Sequence, residues 1–147
     1  MKKILNILLI SSLSFIFLAQ NGFSSDEKLK IGLLVPMTGE NKNLGKLIIK
    51  ATRMALEEIN ADIIEIYPKD TNSDPQKTLQ SAKELKEIGI NIVIGPVFYE
   101  NLIFLDEVND VTFLSLTNKT IDLPKNVISS GVNSTSQLNA IKKFIEK

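Results

Sequence analysis

Four polar segments of the sequence each follow an apolar segment, and these are the places where binding chemistry could occur. They comprise residues 36–43, 70–74, 95–99 and 117–120. Each is rich in Gly, Thr, Asn or Ser, whose backbone N–H groups, hydroxyls and amides can hydrogen-bond a small polar group such as a carboxylate. This chemistry favours binding over turnover.

Several residues in or near these segments have more than one possible role. Asp70 is the best-placed acid, although a single carboxylate after a strand also serves as a helix cap or an ion-pair partner. Gly39 could supply a positive φ, and Asn43 could cap a helix. Tyr67 and Tyr99 could stack on a ligand or pack on their own sheet. The residue types leave these alternatives open.

The composition excludes most enzyme chemistry. The 147-residue chain contains no Cys and no His, so thiol nucleophiles, imidazole bases and the usual soft metal ligands are missing. Residues 36–45 match neither the phosphate-binding run that ends in Gly-Lys-Ser/Thr nor the Gly-x-Gly-x-x-Gly dinucleotide fingerprint. We therefore predict a protein that is not an enzyme, with no catalytic residues, no metal and no cofactor.

Hydrophobic periodicity predicts alternating strands and helices. Strands are expected at residues 28–35, 63–67, 90–94 and 111–116. Helices are expected at residues 43–60, 74–89, 99–109 and from 134 onward. This alternation predicts an α/β fold with a doubly wound parallel sheet, in which ligands bind beyond the carboxyl ends of the strands. The four polar segments all follow predicted strands.

Three local patterns refine this prediction. Asp74-Pro75 predicts the start of the second helix, and residues 134–137 resemble a capping box. Residues 127–128 form a brief apolar patch. One stripe of the first helix should face the sheet; its members are Leu44, Leu47, Ile48, Ala51, Met54, Ala55 and Ile59.

Residues 1–24 have the features of a secretory signal peptide. Two lysines precede an apolar run over residues 4–19, and Gly22 and Ser24 place small residues where cleavage after Ser24 requires them. An uncleaved membrane anchor is the alternative. The absence of Cys removes the residue that carries a lipoprotein anchor. We expect a periplasmic protein with no stable membrane anchor after cleavage.

The remaining chain is slightly acidic. Without Lys2 and Lys3, the 17 basic side chains fall to 15, against 17 acidic ones, which gives a net charge of −2. A nucleic-acid-binding surface is normally basic, so no nucleic-acid partner is expected. The length suits a single domain over residues 25–147.

Six short blocks occur in order between residues 30 and 145, and together they resemble the leucine/isoleucine/valine-binding family of type I periplasmic binding proteins. The blocks are Lys30–Gly39, Leu44–Gly45, Ala55–Asn60, Asp70–Thr71 with Asp74–Pro75, Ile94–Pro96 and Phe113–Ser115.

This resemblance implies a Rossmann-like lobe of a two-lobed receptor. Residues 25–147 would then be an incomplete N-terminal lobe. The expected partners are a small-molecule ligand, such as an amino acid, and the permease of an ABC transporter. Together with Asp70, the expected ligand-binding residues are Thr38, Gly39, Val97, Phe98, Tyr99, Thr117, Asn118 and Lys119.

A sister branch offers a second function. Amino-acid binders usually carry a small hydroxyl residue shortly after the Gly-Pro pair, whereas this chain has Phe98-Tyr99-Glu100. Residues 67–71, 95–98 and 114–118 are similar to stretches of the periplasmic activators of penicillin-binding proteins. That resemblance implies a regulator of peptidoglycan synthesis whose partner is a penicillin-binding protein.

Overall fold

The computed structural model describes residues 28–146, so the predicted signal peptide at 1–24 lies outside the described residues. The strands are β1 (Leu29–Val35), β2 (Ile64–Asp70), β3 (Ile92–Ile94), β4 (Thr112–Ser115) and β5 (Val127–Ser129). The helices are α1 (Lys42–Glu58), α2 (Pro75–Glu87) and α3 (Ser134–Ile145), with 3-10 turns at Tyr99–Leu102 and Leu105–Val108. Within these residues, no helix combines the length and apolar character needed to cross a membrane.

All five strands form one parallel sheet in the order β2-β1-β3-β4-β5. The β1–β2 register runs from Leu29 opposite Ile64 to Val35 opposite Asp70. The prediction of an α/β fold with a parallel sheet is confirmed. Residues 127–128, predicted only as an apolar patch, belong to the fifth strand.

Helices cover both faces of β1, as a doubly wound sheet requires. Leu33 and Leu34 are both fully buried and point to opposite faces, since successive side chains alternate along a strand. Leu34 belongs to the main core, which also contains Leu85 of α2 and Phe113 of β4. Leu33 lines a small cavity together with Leu56 of α1. Thus α2 and the 3-10 turns lie on one face and α1 lies on the other.

Two elements differ from the prediction. One is a strand that continues through a proline, and the other is a predicted helix that has the 3-10 form. Strand β2 extends through Pro68 to Asp70; an edge strand tolerates proline because its outer N–H needs no partner in the sheet. The helix predicted at 99–109 is instead two 3-10 turns. Leu102, Leu105 and Val108 are buried at intervals of three, which matches the 3-10 period.

The face of α1 that meets the sheet was predicted incorrectly for several residues. Leu47, Met54 and Ile59 are exposed by 65%, 58% and 64%. Gly45 is the buried residue of this helix, and a Cβ atom there would overlap the carbonyl of Pro36. This close backbone approach fixes the rotation of the helix about its axis.

The first turns of α1 and α3 also begin differently from the prediction. Helix α1 begins at Lys42, so Asn43 lies inside its first turn and does not cap it. The side chain of Asn133 caps α3 by accepting a 2.9 Å hydrogen bond from the Ser136 backbone N–H. The capping residue therefore precedes the predicted box by one position. Helix α3 has no buried residue.

One half of the sheet is uncovered on the α1 side. Val93, Phe113 and Val127 face the main core and are buried, while Ile92 and Ile128 on the opposite side are 39% and 54% exposed. We call the second set, with the half-buried Ile94 and Leu114, the open sheet face.

Candidate functional site

The four polar segments lie at one edge of the sheet, which we call the rim. All strands run in the same direction, so the segments after β2, β1, β3 and β4 follow one another along the rim in that order. Adjacent parallel strands are about 5 Å apart, so each segment is close to its neighbour. The order reverses at β1, whose sequence successor β2 is on one side and β3 on the other. In this fold class, ligands bind where the order reverses.

Asp70 joins the first two segments through both of its carboxylate oxygens. Its Oδ1 accepts hydrogen bonds from the backbone N–H groups of Met37 at 2.7 Å, Thr38 at 3.2 Å and Asn72 at 2.9 Å. Its Oδ2 accepts a 2.6 Å hydrogen bond from the Thr38 hydroxyl. Asp70 thus fixes the segment after β1. It caps no helix and forms no ion pair within residues 28–146.

These contacts favour the ionised form of Asp70. Burial opposes ionisation, but the hydrogen bonds from Thr38, Asn72 and Met37 together outweigh it and hold the pKa of Asp70 below its usual 3.8. The carboxylate is therefore charged at neutral pH. Its acceptor positions are largely occupied by the protein itself.

Gly39 allows the segment after β1 to turn at the rim. It has a φ of +74°, which side chains with a Cβ atom rarely adopt. A Cβ atom there would also come within 2.5 Å of Asn72 Oδ1. Thr38 and Gly39 themselves are exposed, so the turn presents both residues to solvent.

A second set of contacts joins the segments after β3 and β4. The Ser115 hydroxyl donates a 3.0 Å hydrogen bond to the Pro96 carbonyl and accepts one from the Thr117 N–H at 3.3 Å. The Leu116 N–H also donates to the Pro96 carbonyl at 3.0 Å. Thr117 is buried, and its Oγ1 accepts from the Lys119 N–H at 3.2 Å. Thr117 therefore stabilises the segment after β4 from a buried position.

Tyr99 and Lys119 meet beside the rim. The Lys119 ammonium lies 5.0 Å from the centroid of the Tyr99 ring, within the range of a cation–π interaction. Both residues line a groove of about 680 Å³ between the first 3-10 turn and the β4–β5 connection. We call this the side groove. The other predicted ligand residues do not line it.

Several backbone donors at the rim make no hydrogen bond within the described part of the chain. They include the N–H groups of Gly39, after β1, and of the neighbouring residues Val97 and Phe98, after β3. Val97 and Phe98 are half-buried, and Asn118 after β4 is exposed. Adjacent unpaired N–H groups suit a carboxylate or another small anion.

Two residues that organise the rim were missed from the sequence. Asn72 lies two positions after Asp70, the spacing at which an Asp side chain bonds the backbone N–H. That spacing could have revealed the local turn. Ser115 is a hydroxyl residue at the end of an apolar strand, but its bond to Pro96 spans 19 positions and has no local signal.

Comparison with known proteins identifies the family. The family model for periplasmic binding proteins matches residues 28–141. No protein with a curated functional description matches the chain.

Three solved structures illustrate the similarity in fold. Full-length LpoA from Haemophilus influenzae is 22% identical with a TM-score of 0.59, over 76% of this chain and 20% of that one. An ABC-transporter solute-binding protein from Rhodopseudomonas palustris BisB5 is 25% identical with a TM-score of 0.57, over 63% and 28%. LivJ from Streptococcus pneumoniae is 19% identical with a TM-score of 0.58, over 69% and 33%.

The chain spans a third or less of the length of each of these three proteins. Their fold agrees with the parallel sheet and with the family model. The family is one of binding proteins that act outside the cytoplasm. This chain belongs to the periplasmic binding protein family.

Proposed function

We propose that this chain is an extracytoplasmic binding protein that captures a small solute, such as an amino acid, for an ABC transporter. Residues 1–24 would direct export to the periplasm, and the domain from residue 25 would form one lobe of the receptor. The observation that carries the proposal is the set of unpaired N–H groups of Gly39, Val97 and Phe98. They belong to the segments after β1 and β3, where the strand order reverses.

These donors suit a ligand that carries a carboxylate. Backbone N–H groups can bind an anion without a basic side chain, and they hold a fixed position when the loop is rigid. Asp70 makes the first loop rigid through its bonds to Met37 and Thr38. We therefore assign Asp70 the role of a positioning residue, while Thr38 and Gly39 face the ligand.

The remaining rim residues would contact the parts of the ligand other than its carboxylate. Phe98 is half-buried next to the unpaired donors and offers an apolar surface, while Asn118 adds an exposed amide. Small-molecule sites usually bury 70–90% of the ligand, so a single rim needs an opposing surface. We propose that a second lobe closes over this rim.

The structural neighbours suggest which solutes to test. The Rhodopseudomonas palustris protein is in complex with 3,4-dihydroxybenzoic acid, and LivJ is in complex with isoleucine. Both compounds carry a carboxylate. We expect one such carboxylate to raise the melting temperature of the chain and to shift the amide resonances of Gly39 and Val97. The Gly89 N–H, which already donates to the Lys86 carbonyl, is the internal control.

The matched control ligand is the methyl ester or amide of the same compound, which lacks the negative charge of the carboxylate. Binding of this analogue with equal affinity would contradict a carboxylate site. So would a shift of the Gly89 resonance equal to that of Gly39. Failure of every carboxylate to perturb Gly39 and Val97 would remove the proposal.

A second candidate function is the regulation of a penicillin-binding protein. The LpoA C-domain from Haemophilus influenzae is described as a regulator of PBP1A. The structural match to full-length LpoA covers 76% of this chain. The solute-binding proteins cover 61–69%. Retention of a purified penicillin-binding protein on the immobilised chain, together with unshifted rim amides in every solute titration, would favour this candidate.

A further inference from the structure

We infer that the side groove is a docking site for a partner protein that presents an apolar side chain flanked by basic ones. The groove has a volume of about 680 Å³ and lies beside the rim. Its walls combine apolar side chains with three carboxylates. This proposal does not depend on a solute at the rim, since seven of the nine predicted ligand residues lie outside the groove.

The floor of the groove is apolar and open to solvent. Ile103 is 65% exposed and Tyr99 is 51% exposed, while Leu123 and Pro124 are half-buried. These four side chains belong to two separate stretches, the first 3-10 turn with the residue that follows it, and the β4–β5 connection. Such a surface has room for an apolar side chain from outside, and burying it removes apolar area from water.

Three carboxylates around this floor are unpaired in the part of the chain that the structure describes. Glu100, Asp106 and Asp122 line the groove, and none of them forms an ion pair or a side-chain hydrogen bond within residues 28–146. The basic residue of the groove, Lys119, contacts the ring of Tyr99. The lining thus carries a net charge of −2 and would attract a basic partner.

Two acids near the groove are already paired. Glu107 pairs with Lys83 at 2.9 Å, and Asp110 pairs with Lys86 at 2.6 Å. Other exposed acids, such as Glu87 of α2, form no ion pair within residues 28–146, but they do not line the groove. The position of Glu100, Asp106 and Asp122 around an apolar floor gives the charge complementarity on which the choice of a basic partner depends.

A protein segment fits the groove better than a small cation does. A small ligand would leave much of its surface in water, because the groove is open: two of its floor residues, Ile103 and Tyr99, are more than half exposed. Exposed charge pairs contribute about 0.2–1 kcal/mol each, so the carboxylates would mainly select the partner and speed its encounter. The apolar anchor would supply most of the affinity.

Two synthetic peptides test the proposal by NMR titration of the ¹⁵N-labelled chain. One alternates lysine with leucine and phenylalanine over six residues, and the matched peptide has glutamate in place of lysine. We expect the basic peptide to shift the amide resonances of Ile103, Asp122 and Leu123. We expect the acidic peptide to leave them unchanged. The shifts should weaken as salt is raised, because salt screens exposed charges.

Charge reversal separates the groove from general electrostatics. The Asp106→Lys/Asp122→Lys variant should bind the basic peptide at least about tenfold more weakly, a difference of roughly 1.4 kcal/mol. The Asp62→Lys/Glu87→Lys variant has the same net charge but changes two exposed acids outside the groove, and it should bind like the parent chain. Unfolding curves of both variants are the check that each is folded.

Several outcomes would overturn the docking site. These are equal binding of the acidic peptide, equal loss of binding in both double variants, and shifts that map to Gly39 and Val97 or to the open sheet face instead of Ile103, Asp122 and Leu123. The absence of any shift with the basic peptide at millimolar concentration would count equally against it. If instead a solute shifts Gly39 while neither peptide shifts Ile103, the rim site stands and the groove proposal fails.

Discussion

The hydroxyl of Thr38 donates a 2.6 Å hydrogen bond to Asp70 although the two residues are 32 positions apart. The two loops that they join follow adjacent strands, since Val35 at the end of β1 pairs with Asp70 at the end of β2. The bond therefore locks neighbouring loops at the carboxyl edge of the sheet. It gives the candidate site a fixed wall before any ligand is present.

Asp70→Asn should destabilise the fold. The amide oxygen can still accept from the three N–H groups at the Oδ1 position, but the charge is lost and the amide NH2 group then faces the Thr38 hydroxyl in place of an acceptor. Lost or unmet hydrogen bonds of this kind cost about 1–3 kcal/mol. Urea unfolding measures the change. Asp62→Asn is the matched control, because Asp62 is exposed and should change stability by less than about 0.5 kcal/mol. Equal stability of the two variants would contradict the role of Asp70.

Acid should remove the contribution of Asp70. Its pKa is lower in the folded chain than the usual 3.8, so the stabilisation is complete well above pH 4 and is lost as the pH falls through the lowered pKa. A series of unfolding curves from pH 6 to pH 2 measures this slope. Asp70→Asn should show a shallower slope below pH 4, and an unchanged slope would count against the assignment.

Gly45→Ala should destabilise the chain despite the higher helix propensity of alanine. Propensity alone would stabilise a helix by about 1 kcal/mol. The new Cβ atom, however, would overlap the carbonyl of Pro36, and such overpacking costs about 1–3 kcal/mol. Thermal unfolding decides between the two effects, because the melting temperature falls if the overlap dominates and rises if helix propensity dominates. Lys46→Ala is the control, because Lys46 is the next residue and is exposed, and it should leave the melting temperature nearly unchanged.

Ser115→Ala should loosen the loops after β3 and β4. The Pro96 carbonyl keeps its bond from Leu116, but the Thr117 N–H loses an acceptor in a buried position, at a cost of about 1 kcal/mol. Chemical unfolding gives this cost, and hydrogen exchange should show faster opening at Thr117. Thr120→Ala is an exposed control in the same connection. Unchanged exchange at Thr117 would show that Ser115 does not hold the loop.

Substitutions on the two sides of β5 should differ in how much they reduce the stability of the fold. Val127 is 7% exposed and faces the core, so Val127→Thr should cost about 1–3 kcal/mol for burying an unpaired hydroxyl. Ile128 is 54% exposed on the open sheet face, so Ile128→Thr should change stability by less than about 0.5 kcal/mol. It should also reduce aggregation, because it interrupts an exposed apolar patch. Light scattering and urea unfolding provide the two measurements, and equal costs would contradict the assigned faces.

The sequence predicted the kinds of element because their signals are local. The apolar run that ends at Val35 and the Asp74-Pro75 helix start depend on neighbouring residues, and both signals gave the correct elements. Their alternation was enough to predict a parallel sheet, since parallel strands need long crossovers. The same reasoning placed the polar segments after the strands, at what became the rim.

Tertiary structure decided the features that depend on distant contacts. Periodicity indicated that α1 is amphipathic, but the approach of Gly45 to Pro36 decided which stripe meets the sheet. The sequence alone offered Asp70 as an acid with several possible roles, and only the pairing of β1 with β2 brought it to Thr38. Sequence patterns report the preferences of nearby residues, whereas these contacts form between segments that folding brings together.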